Sequence, residues 1–169
     1  MALTYEPIST ITLTSTAGII TFSSIPQTYT DLVMIQSARV TSAYDITAIR
    51  INSVTTNYSG VYIEGNGSGA TSGSGNAEIS MRAGYVPGTS YGNEWSSEIY
   101  NFLNYSNTTT LKTGLSRTSF TNSPAGFNTQ AKITLIPTTS AITQITSQTA
   151  NGASWAIGST FTLYGIKAA

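Results

Sequence analysis

Residues 31–40 read DLVMIQSARV. Successive side chains of a β-strand point to opposite faces. Leu32, Met34, Gln36 and Ala38 therefore share one face, and Val33, Ile35 and Ser37 the other. The run opens apolar on both faces, which is how a central strand reads. Helical spacing of apolar residues at i, i+3, i+4 and i+7 is absent throughout, and Glu, Lys and Gln are scarce. β-branched and aromatic residues dominate instead.

Working outward, DITAIRIN (45–52) and YSGVYIEG (58–65) follow, with PISTITLT (7–14) and GIITF (18–22) before. NAEISMRAGY (76–85) is a further strand. EWSSEIYNFLN (94–104) and TTLKTGLSRTS (109–119) read as a hairpin across YSNT. QAKITLIP (130–137), AITQITSQ (141–148) and STFTLYGIK (159–167) complete the set. In the last, Phe161 and Leu163 alternate with Thr162 and Tyr164, the pattern of a closing, half-buried strand. Short strands punctuated by Gly, Asn, Ser and Pro turns predict an all-β domain. The expected form is an antiparallel β-sandwich, jelly-roll-like, with a barrel as the alternative.

The 169 residues suit one domain spanning 1–169, large enough to bury a core without disulfides. GNGSGATSGSGN (65–76) has linker composition and reads as a long exposed loop between strands. YVPGTSYGN (85–93) and TSFTNSPAGFN (118–128) read as further loops.

Chemistry is restricted by what is missing. There is no cysteine and no histidine. This excludes thiol nucleophiles, zinc-thiolate sites and a Ser-His-Asp triad. Glu94 and Glu98 share a strand face but lie roughly 13 Å apart at the usual rise, beyond the roughly 5–9.5 Å of paired glycosidase carboxylates. The glycines at 65, 67 and 69 lack the Lys-Ser/Thr ending of a phosphate loop. No calcium-loop spacing occurs, and no metal or cofactor is expected. Asn-X-Ser/Thr triplets at 57, 66, 104 and 107 follow from the composition. The expectation is a protein without enzymatic activity.

Charged residues make up 8% of the chain, against roughly 25% in ordinary soluble domains. Seven basic and seven acidic residues are scattered with no net charge. No basic stripe for nucleic acid and no cationic amphipathic stretch for a membrane surface is visible. MALTYEPIST lacks the pattern of a signal peptide, so folding in a cytoplasm is expected. A Thr/Ser-rich, nearly uncharged surface resists self-association poorly. It suits a protein packed against copies of itself or a lattice, or else an ordinary secreted β-domain.

ITFSSIPQTYTDLVMIQSARVTSA (20–43), NYSNTTTLKTGLSR (104–117), TSAITQIT (139–146) and GSTFTLYGIKAA (158–169) together resemble a family of small virion structural proteins. These occur in tailed bacteriophages, notably phages of cyanobacteria. The resemblance covers most of the chain in order and implies a β-rich particle component located in the virion. VPGTSYGNEW (86–95) and TNSPAGFN (121–128) depart from the pattern, so it extends to the sheet framework and not to a binding site.

Two functions follow. The first is an outer-capsid decoration or cement protein, bound non-covalently to capsid or other virion proteins, and homo-oligomeric, for example a trimer. Residues 1–10 would be its docking arm, anchored by Tyr5, Pro7 and Ile8, or simply its first strand. The second is a tail or fibre adhesin for a host-surface glycan. Its candidate surface comprises Tyr85, Tyr91, Trp95, Phe120, Phe127 and Trp155. The plainer expectation for the loop aromatics is that they pin their loops to the ends of the sandwich.

Overall fold

The computed structural model describes residues 4–122 and 126–167 and shows a β-sandwich of two antiparallel sheets. The strands are β1 (Tyr5–Thr12), β2 (Ile19–Phe22), β3 (Asp31–Ala38), β4 (Tyr44–Ile51), β5 (Tyr58–Gly65) and β6 (Ala70–Glu78). They continue with β7 (Met81–Pro87), β8 (Ser96–Phe102), β9 (Lys112–Asn122), β10 (Gly126–Ile136), β11 (Ile145–Thr149) and β12 (Thr160–Ile166). A 3-10 turn covers Thr89–Tyr91. The larger sheet has the order β1-β12-β3-β8-β9-β10-β5-β6 and the smaller β2-β11-β4-β7. The division into eight and four strands differs from the two equal sheets of an eight-stranded jelly roll.

β3 lies inside the larger sheet between β12 and β8, as its two-sided apolar start predicts. Leu32, Met34 and Ala38 point into the sandwich beside Tyr100 and Phe102 of β8 and Phe161 and Leu163 of β12. Ile20 and Phe22 of β2 and Ile49 and Ile51 of β4 meet them from the smaller sheet. Each such side chain contributes about 1.5–3 kcal/mol when fully buried. The predicted hairpin is present, with β8 and β9 paired from Ser97–Ser119 to Phe102–Gly114. β12 is the closing strand expected of 159–167.

Three expectations are corrected. Residues 65–76 are not a long loop. A tight turn at 66–69, closed by the Asn66 side chain accepting from the Ser68 and Gly69 amides, leads into β6. β6 pairs with β5 as an edge strand. Its glycines are there for space: a Cβ on Gly73 would sit 2.6 Å from the Tyr62 hydroxyl, and one on Gly75 would sit 2.1 Å from the Glu78 carboxylate. Residues 118–122 and 126–128 are likewise strand, with Ser119 opposite Thr129 and Phe120 opposite Asn128. The strand read at 76–85 divides at Ile79–Ser80, where the chain leaves the larger sheet for the smaller.

Of the two readings of the N-terminal residues, the strand is the one formed. Tyr5 pairs with Ile166 and Pro7 with Tyr164, so residues 5–10 are not a free arm. Pro7 lacks an N–H but sits on an edge strand, where that donor is dispensable, and the register shifts just after it. Between these two pairs, opposite Glu6, Gly165 lies under the ring of Tyr29, where a Cβ would come within 2.3 Å. Gly165→Ala is expected to cost about 1–3 kcal/mol by overpacking, read as a lower urea midpoint with an unchanged slope.

Candidate docking surface

The structure separates the aromatic residues singled out from the sequence. Tyr85, Tyr91 and Phe120 come together. Tyr44 meets Tyr85 and Tyr91 edge to face at 5.8 and 6.1 Å, and Tyr91 meets Phe120 at 5.3 Å. The chain of rings ties the 3-10 turn to β4, β7 and β9. Phe120 is buried, and Tyr85 and Tyr91 are half-buried. Burial, followed by the nearby Glu64 carboxylate, raises the Tyr85 pKa above its ordinary value. Trp95 is exposed, with its ring resting on Gly158.

Trp155 is a correction. It is 0% exposed and presents no face to any ligand. Its ring packs edge to face on Phe161 at 5.3 Å, and its indole N–H donates to the Ser147 carbonyl at 3.4 Å. Phe127 pairs through its backbone with Thr121, and its side chain lies outside the described residues. Tyr5 is exposed and edge-on to Tyr164, Pro7 is exposed, and Ile8 packs against the core.

The two glutamates of EWSSE also diverge. Glu98 is wholly buried between the sheets, while Glu94 lies before β8 in a half-buried position. Among the described residues no three acidic side chains gather as a metal site.

A different feature stands out. The smaller sheet covers only one face of the larger. On the uncovered face, pairing aligns Tyr164, Val33, Asn101, Leu115, Ile133 and Val61 in one row. Thr162, Ile35, Ile99, Arg117, Ala131 and Ile63 form the next. Ile35, Leu115, Leu135, Ile133, Val61 and Ile63 are 36–65% exposed. A third row, Thr160, Ser37, Ser97, Ser119 and Thr129, is polar and uncharged. An apolar centre with a polar margin is the anatomy of a protein interface.

Arg117 is the one charge within the two apolar rows, and it is exposed. Two depressions mark the face. One of 510 Å³ is lined by Val61, Ile63, Leu115, Ala131 and Ile133, with Ser72 and Ser74 of β6. The other, of 370 Å³, lies between Arg117, Glu64, Ile63 and Thr129.

Sequence reasoning missed this surface. Its signal was present in Val33 and Ile35, the second apolar face of the opening strand, and in the alternation of Ile133 and Leu135. Alternation marks an apolar face but does not say whether a second layer covers it. Comparison with family models, with curated proteins and with solved structures gives no match to this chain.

Proposed function

We propose that this protein is a bacteriophage virion structural protein, an outer-capsid decoration or cement protein that stabilises the shell by non-covalent contacts. The observation that carries the reading is the open face of the larger sheet. Apolar side chains this exposed, in adjoining rows, mark a surface that docks on protein. The side chains are aliphatic and the rim is Thr and Ser, which suits packing against another protein surface better than stacking on a sugar. The low charge accords with a place in a lattice, where neighbouring copies supply burial in place of solvation. The reading assigns the protein no reaction, no cofactor and no contact with nucleic acid or membrane. Its partners are capsid or other virion proteins and further copies of itself, and its location is the virion after synthesis in the host cytoplasm.

The adhesin remains the second reading, favoured by one observation. Tyr44 is 50% exposed beside Tyr85 and Tyr91, and Trp95 lies in the segment that follows the turn. A glycan would be sought there. Imaging of whole particles separates the two. The expected result is density for this chain in regular copies over the head, contacting shell subunits. Density confined to tail or fibre tips would overturn the decoration reading and support the adhesin.

A further inference from the structure

We infer that the open face of the eight-stranded sheet is closed by a second copy of this chain, packed face to face about a two-fold axis along β10. The inference rests on reading that face as a docking surface and adds its occupant. The apolar rows are densest on β9, β10 and β5 rather than at the middle of the sheet. An axis along β10 lays β9 of one copy over β5 of the other. Ile133 then faces its own counterpart and Leu115 faces Val61. A two-fold contact must be self-complementary in this way.

Arg117 has no ion pair within its own chain among the described residues. The proposed axis carries it over β5 of the other copy, opposite Ile63. The arrangement occurs twice, once on each side of the axis, so neither guanidinium is set against the other. The overlap spans five strands, from β8 to β6. At about 4.8 Å between strands and about 3.3 Å per residue over seven residues, each copy contributes a footprint on the order of 550 Å². The total, about 1,100 Å², lies above the ~800 Å² of adventitious contacts and near the small end of specific interfaces. The dimer is therefore expected to form reversibly with concentration.

The absence of cysteine makes the test direct. Facing sheets sit about 10 Å apart, beyond the Cα separation a disulfide tolerates, so a short bismaleimide is the suitable cross-linker. Ile133→Cys in the full chain should cross-link to a dimer. Ile19→Cys, similarly exposed on β2 of the other sheet, should not cross-link. Sedimentation of the unmodified protein should show a monomer–dimer equilibrium, and Leu115→Glu should shift it to monomer without lowering the urea midpoint.

A monomer at every concentration would overturn the inference. So would a dimer in which position 133 cross-links no better than position 19, since that dimer uses another surface. Either result concerns the occupant alone. The shell-docking reading fails separately, by the position of the chain in particle images.

Discussion

Trp155→Ala should be the most damaging single truncation in the molecule, with a loss of about 3–5 kcal/mol. Trp155 belongs to no strand, yet it joins two parts of the sandwich. It makes isolated bridges to Ala17 and Val40, and exchanges backbone hydrogen bonds with Ala17 at 2.7 and 3.3 Å. Its ring fills the space against Phe161. Alanine keeps the backbone bonds and removes the ring, so the loss reports a cavity rather than a broken bridge. Folded domains hold only about 5–15 kcal/mol in all, so this loss is a large fraction of the total. Urea unfolding should show a much lower midpoint with little change in slope. Trp95→Ala is the comparison, expected to cost clearly less than Trp155→Ala because Trp95 is 39% exposed where Trp155 is fully buried. Equal effects of the two substitutions would sink the assignment of Trp155 to the core.

The same residue shows where sequence reasoning stops. DLVMIQ declared itself because six consecutive residues carry the alternation, and both faces could be read from it. Trp155 stands in NGASWAIG, a glycine-bounded segment with no alternation, so nothing local distinguishes a buried ring from an exposed one. β6 was hidden for a different reason. An edge strand needs little more than backbone hydrogen bonds, and its Gly-Ser composition reflects crowding by Tyr62 and Glu78 on neighbouring positions. That crowding exists only once the strands are paired. The open face needed one further fact, the landing place of the four-stranded sheet, which follows from the whole topology and not from any one strand. The loop aromatics were legible as a group, and Tyr85, Tyr91 and Phe120 do meet. They are held largely by one another.

Glu98 should make stability depend on pH in the direction opposite to an ordinary salt-bridged carboxylate. It lies wholly buried on β8 and accepts hydrogen bonds from Ser96 Oγ at 2.8 Å, Thr47 Oγ1 at 3.1 Å and the Tyr100 hydroxyl. The network continues across the sandwich. Gln36 donates to Thr47 at 3.2 Å, and Ser147 donates to Gln36 at 3.0 Å, linking β3 and β8 to β4 and β11. Loss of hydration raises the Glu98 pKa and is the largest influence, with the hydrogen bonds from Tyr100, Ser96, Gln36 and Thr47 opposing it. The native state therefore keeps a proton that the unfolded chain has already released. Stability must then fall as pH rises from the unfolded value, 4.5, through the higher native one, with a slope of at most about 1.4 kcal/mol per pH unit. Below that window the contribution is fully present.

Glu98→Gln removes the titration while keeping the shape. Its urea midpoint, compared with that of the unaltered protein, should gain as pH rises above 4.5 and level off once the native carboxyl has ionised. Parallel curves would show that Glu98 releases its proton alike in both states. Glu98→Ala should instead be costly at every pH, by about 3 kcal/mol or more, because the hydroxyls of Ser96, Thr47 and Tyr100 lose a shared buried acceptor. The contrast between the two variants separates charge from connectivity. Burial makes the proton expensive to release, and the hydroxyls make the carboxyl expensive to remove. A side chain with both properties ties β8 of the eight-stranded sheet to β4 of the four-stranded one.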